Sequence, residues 1–233
     1  MKEILVMLPG TLCDKTLFKH QLIALKHLAD CQIGDISSSD DLSIVAANII
    51  AKVKGDFSII GLSYGGIIAF EIWRQVPNRI KKMILLNTNH RKASEETRRK
   101  QQRFIGMSAT GEFRKITTDF LKDAMLHPDH AKSPEMREAI LKMALNTGEE
   151  NFYRQIKAQL ARPDSTKDLS DIKCPTLVMT GKEDMVCTPA IHKEIAQLIP
   201  NSKLVIIEKC GHLSTMEQPD EVNRNIIDWW NQN

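Results

Sequence analysis

A chain of 233 residues, 42% hydrophobic and 26% charged, suits one globular α/β unit with room for an insertion, and excludes a disordered chain. The net charge of +3 is too small for a nucleic-acid-binding surface, and no apolar run approaches the length of a membrane span. Five cysteines without close pairing, and an N-terminal apolar run too short for a secretory signal, point to a cytoplasmic protein with reduced thiols.

Residues 4–8 read as a buried strand. Residues 15–28 follow helical spacing, with Leu17, Phe18, Leu22, Leu25 and Leu28 on one side. A short strand at 31–34 is followed by a helix over 42–53, started by Asp40-Asp41 or by Ser43. A strand at 57–61 leads into a helix over 64–76 that stops before Pro77, and 80–86 is another strand. Residues 90–167 then hold almost no β-branched runs and many helix formers. Helices are predicted at 93–105, 111–124, 134–146 and 149–160, punctuated by Gly106, Gly111, Pro128, Pro134 and Gly148. Strands at 175–181 and 203–207 and helices at 189–198 and 219–230 complete the chain. Strands alternating with helices predict an α/β fold, with a mostly parallel sheet covered on both faces. Residues 1–89 and 168–233 form its core, and 90–167 form a helical insertion.

Gly61-Leu62-Ser63-Tyr64-Gly65 lies between the strand at 57–61 and the helix that follows it. A serine on so sharp a strand-to-helix turn is a nucleophile elbow: the flanking glycines lack the Cβ that would clash, and the hydroxyl stands above the sheet edge. So short a motif also arises by chance, so it needs partners. A serine nucleophile requires a base, an acid to orient the base, and donors for an oxyanion. His212, after the strand ending near Ile207, is the base candidate, and His90 is its rival at another strand end. Asp184, in the turn Gly181-Lys182-Glu183-Asp184, is the acid candidate, with Glu183 as alternative. The loop Asn87-Thr88-Asn89 offers no carboxylate. Backbone N–H groups of Tyr64 and of Thr11, with Leu12 second, are the oxyanion donors, in a loop where Gly10 allows close approach.

Three further features stand apart. His127 and His130 could be imagined as a metal pair, but they sit in a polar, proline-containing stretch that reads as a solvated loop. Residues 91–122 carry nine basic and four acidic side chains, a solvated helix face or a docking surface for an anionic partner. Phe104, Met107, Phe113, Phe120 and Met125 either line a pocket or pack helix against helix.

In order along the chain, Gly-Leu-Ser63-Tyr-Gly-Gly, Gly-Lys-Glu-Asp184 and Gly-His212-Leu-Ser-Thr-Met-Glu-Gln-Pro resemble the α/β-hydrolase superfamily over nearly the whole length. The resemblance implies a Ser63-His212-Asp184 triad, a helical cap at 90–167, a small sheet of about six strands, and a mechanism without metal or cofactor. The small cap resembles those of compact serine carboxylesterases such as the pimeloyl-ACP methyl ester esterases. That likeness implies a small-molecule ester substrate, or an acidic acyl-carrier protein docked on the basic cap segment. Serine at 63 departs from the branches that use aspartate there. Pro9-Gly10 replaces the usual His-Gly, and the two N-terminal strands of the larger fold are expected to be missing. A thioesterase, a triad-bearing lyase and a non-catalytic hydrolase-like receptor remain alternatives.

Overall fold

The computed structural model describes residues 2–120 and 125–233, with side chains throughout except at 117–120. Its strands are β1 (Glu3–Leu8), β2 (Ala29–Ile33), β3 (Phe57–Leu62), β4 (Ile80–Leu86), β5 (Thr176–Gly181) and β6 (Ser202–Ile207). They form one parallel sheet in the order β2-β1-β3-β4-β5-β6. The central strands β3 and β5 are buried along their whole length because both faces are covered, while the edge strands β2 and β6 are only partly buried. Along β1, Leu5 and Met7 join one core cluster while Val6 and Leu8 join the other. On one face lie α2 (Leu42–Lys52), α3 (Tyr64–Gln75) and α7 (Pro189–Leu198). On the other lie α1 (Lys19–Ala24) and α9 (Pro219–Trp230), with Trp229 buried. Each large apolar side chain removed fully from water contributes about 1.5–3 kcal/mol.

Between β4 and β5 stand α4 (Glu95–Ala109), α5 (Phe113–Phe120) and α6 (Pro134–Ala161). Gly148, at φ 76°, breaks α6 where the sequence predicts the gap between two helices. The last two elements of the edge are α8 (Ser214–Glu217) and α9. Phe104, Ile116, Ala144, Phe152 and Ile156 bury one another in a third cluster that also takes in Leu12 of the loop after β1, with Met107 and Phe113 against it, so these aromatics pack helix on helix and onto that loop. Met125 packs on the sheet-side cluster instead. The Phe120 side chain and the last residues of the predicted helix 111–124 lie outside the described residues.

Two boundaries differ from their periodicity. The helix predicted over 15–28 is a 3₁₀ turn at Lys15–Phe18 followed by the short α1. Ala29 must pair with Glu3, so the chain leaves the helix at Leu25 and β2 starts earlier than its apolar residues indicate. In contrast, α4 runs through Gly106, whose missing Cβ faces open space, and stops at Ala109, two residues before Gly111 at φ 79°. Among the described residues no helix is long and apolar enough to cross a membrane.

Candidate active site

The parallel registers bring the carboxyl ends of five strands to one edge: Leu8 pairs with Gly61, Leu62 with Leu86, Leu86 with Met179, and Gly181 with Ile207. Open parallel sheets place their ligands outside such ends. Three of the four non-glycine residues with positive φ among the described residues sit here, namely Leu12 (59°), Ser63 (57°) and Asn87 (46°). Backbone held in that region costs of order 1–3 kcal/mol per residue and persists only where the surroundings impose it.

At Ser63 the surroundings are visible. A Cβ on Gly61 would overlap the Gly65 carbonyl, and one on Gly65 would overlap the Leu8 carbonyl. The elbow can therefore press against β1 only with glycine at both positions. Ser63 N–H donates to Leu86 O at 2.9 Å, and Thr88 Oγ1 donates to Ser63 O at 2.7 Å. The half-buried Ser63 is thereby pinned from β4 while its side chain stays reachable.

The structure brings His212 to this serine. His212 Nε2 lies 3.0 Å from Ser63 Oγ, and His212 Nδ1 lies 2.9 Å and 3.0 Å from the two Asp184 carboxylate oxygens. Both side chains are buried, at 2% and 1% exposure. Asp184 Oδ1 also accepts the N–H groups of Val186 and Cys187, and Oδ2 accepts from Asn87 Nδ2 at 2.9 Å. Burial pushes the Asp184 carboxyl up, but the charge and hydrogen bond of His212, with Asn87 and the Cys187 N–H, outweigh it and hold it below the usual range. Gly181 permits the approach, because a Cβ there would overlap the Cys210 and Gly211 carbonyls.

The rivals go elsewhere. Glu183 Oε2 accepts from Cys210 N–H, so it ties the histidine loop by its backbone. His90 is buried with Nε2 3.5 Å from Glu194 Oε1, and burial holds it below its ordinary value against the pull of Glu194. His130 Nδ1 pairs with Glu217, and His127 Nδ1 accepts from Asp129 N–H.

On the oxyanion side, the loop after β1 runs alongside the nucleophile: a Cβ built on Gly10 would lie 3.5 Å from Ser63 Cβ, an ordinary contact. Space alone does not demand glycine there. Tyr64 opens α3, so its N–H has no acceptor within the helix. Leu12 N–H donates to Gln155 Oε1 at 3.0 Å and Cys13 N–H to Gly10 O, so Leu12 is engaged with the insertion while Thr11 N–H, beside it, makes no such bond among the described residues.

Four residues of this site escape a reading of motifs. Asn87 stands where a carboxylate was sought; it donates to Asp184 and to Gly211 O and accepts from the Ser214 hydroxyl. Glu217, in the quoted histidine motif, accepts from the N–H groups of Gly211, Leu213 and His127. With His212 N–H donating to Met125 O at 2.7 Å, it fastens the histidine loop to the middle of the insertion. His192 Nε2 accepts Thr88 N–H at 2.9 Å, behind the elbow. Gln155 is the fourth. Only Glu217 had a local signal, its fixed spacing from His212.

The comparisons with known proteins agree with this fold. A family model described as alpha/beta hydrolase fold matches residues 51–219. The AB hydrolase superfamily protein YclE of Bacillus subtilis (strain 168) is 28% identical over 200 residues, covering 76% of this chain and 69% of that protein. A 2-hydroxy-6-oxononadienedioate/2-hydroxy-6-oxononatrienedioate hydrolase of Burkholderia vietnamiensis is 24% identical over 206 residues, covering 83% of this chain and 69% of that protein. Among solved structures, a thermophilic esterase from Thermogutta terrifontis, with malate bound, matches at TM-score 0.90 and 26% identity, over 100% of this chain and 90% of that one.

Proposed function

The chain belongs to the α/β-hydrolase family, and we propose that it is a serine hydrolase that cleaves a carboxylic ester through an acyl-serine. The observation that carries this reading is the hydrogen-bonded line Ser63 Oγ–His212 Nε2 and His212 Nδ1–Asp184, at 3.0 Å and 2.9 Å, at the carboxyl edge of the sheet. His212 Nε2 takes the Ser63 proton as Ser63 Oγ attacks the acyl carbonyl carbon. Thr11 N–H and Tyr64 N–H hold the oxyanion, each worth about 3–4 kcal/mol in the transition state. His212 then gives its proton to the departing alkoxide. Asp184 keeps the Nδ1 proton in place and stabilises the imidazolium. Water deacylates the enzyme, with His212 again as base.

The esterase likeness at 26% identity over the full chain supports the ester over a thioester or a lyase reaction. An acyl-carrier-protein ester is the finer form of the proposal; Arg99, Lys100 and Arg103 stand exposed on α4 and supply the charge it would need. The test is hydrolysis of p-nitrophenyl acetate and butyrate. Ser63→Ala lowers turnover to background while a fluorophosphonate labels only the parent protein. Turnover retained in Ser63→Ala refutes the assignment; a labelled protein with no turnover across an ester panel points to the lyase or receptor alternatives.

A further inference from the structure

The loop that supplies Thr11 N–H is held in an unfavourable conformation by the insertion. Cys13 N–H donates to Gly10 O at 3.1 Å, closing a four-residue turn whose central residues are Thr11 and Leu12. Positive φ falls on its third residue, Leu12, which is the pattern of a type II turn. That position calls for glycine, and an L-residue with a side chain as large as leucine disfavours it. Flipping the Thr11–Leu12 peptide would return Leu12 to negative φ and give a type I turn, the commoner form for such residues.

Opposing that flip are two glutamines one helical turn apart on α6. Gln155 Oε1 accepts Leu12 N–H at 3.0 Å, and Gln155 Nε2 donates to Ser37 Oγ at 2.9 Å. Gln159 Nε2 donates to Thr11 Oγ1 at 2.9 Å. Gln155 has no exposed surface, so its amide has no water to turn to. The flip would turn Leu12 N–H away and leave Gln155 Oε1 facing the Thr11 carbonyl, two acceptors together in a buried place.

We infer that Gln155 is a positioning residue: with Gln159 on Thr11 Oγ1, its bond to Leu12 N–H pins Thr11 from both sides against the insertion, so that without it the strain at Leu12 carries the whole loop, and Thr11 N–H with it, out of the oxyanion hole. This rests on the acyl-serine reading above. It assigns a role in the reaction to a side chain that touches no reacting atom, 143 residues from Leu12 in sequence.

The experiment is a double-mutant cycle of Gln155→Met and Leu12→Gly, because glycine adopts positive φ without steric cost and should hold the turn unaided. The readout is kcat and KM for p-nitrophenyl butyrate, with the second-order rate of fluorophosphonate labelling at Ser63. Loss of one oxyanion donor costs roughly 100- to 1000-fold. Gln155→Met alone should lower kcat and the labelling rate roughly tenfold or more, with KM changed by less than about twofold. In the Leu12→Gly background the same substitution should cost less than about threefold. Equal cost in both backgrounds overturns the latch. If Gln155→Met does not fold, Gln155→Asn, which withdraws the amide by one methylene, replaces it in the cycle. Amide hydrogen exchange at Leu12 reads the latch without any chemistry. It should quicken at least tenfold in the Gln155 variant, and unchanged exchange overturns the inference even if Ser63 proves unreactive. Absent labelling of the parent protein instead refutes the acyl-serine reading alone.

Discussion

Lowering the pH should weaken this fold through His192, and the size of the effect follows from its environment. His192 is fully buried in α7. Its Nε2 accepts Thr88 N–H, so the neutral ring carries its proton on Nδ1 and donates to Thr188 O at 3.1 Å. A second proton on Nε2 would face the Thr88 N–H. Burial lowers the imidazole from 6.5 to about 4, with the Thr188 carbonyl offsetting part of it. At acid pH the unfolded chain therefore binds a proton at this site that the folded chain refuses. Stability is at its full value above pH 6.5 and is lost as the pH falls toward 4. The difference between 6.5 and about 4, at 1.36 kcal/mol per unit, is about 3 kcal/mol in the acid limit. Between pH 7 and pH 5 it amounts to about 2 kcal/mol. At an m-value of about 2 kcal/mol/M, the urea midpoint should drop by about 1 M over that interval. Other groups titrate too, His90 among them, so the comparison is with His192→Gln, which keeps an acceptor for Thr88 N–H and cannot take the proton. The parent protein should lose about 2 kcal/mol more than this variant between pH 7 and pH 5. Equal losses would show that His192 is not held neutral by its burial, and would refute the reasoning.

Two further outcomes test the groups around His212. Asp184→Asn keeps the size of the side chain but donates where the His212 Nδ1 proton should point. It should cut kcat by about 10³- to 10⁴-fold with a modest change in KM, and a loss under tenfold would remove Asp184 from its assigned role. Glu217→Gln sets an amide N–H₂ among the N–H groups of Gly211, Leu213 and His127. The variant should lose about 2–3 kcal/mol of stability, read as a fall of roughly 5–10 °C in Tm by circular dichroism. An unchanged Tm would mean that this carboxylate does not fasten the histidine loop.

Much of this architecture was legible in the residues because its signals are local. A strand buried on both faces must be apolar without interruption, and the inner strands announce themselves in that way, as Phe57–Leu62 does, whereas the edge strand Ala29–Ile33 carries Asp30 and Gln32 and is only partly apolar. The elbow was legible for a similar reason: the contact of Gly61 with Gly65 lies within one turn of chain, so its glycines stand beside the serine they serve. Asp184 and His212 were legible as polar residues in short loops after apolar runs. Helix limits were less so. The spacing of Leu22, Leu25 and Leu28 is helical, yet the pairing of Ala29 with Glu3 across the sheet ends the helix at Leu25.

By itself, then, the sequence determined the α/β order, the sheet, the broken helix at Gly148 and the three residues now placed in line at the sheet edge. Tertiary structure alone decided their support. Asn87 serves Asp184 across 97 positions, and Gln155 reaches Leu12 across 143. A glutamine inside a helix or an asparagine after a strand carries no local mark of such a duty. Its hydrogen bonds gain their strength from burial, and burial exists only once distant segments have packed.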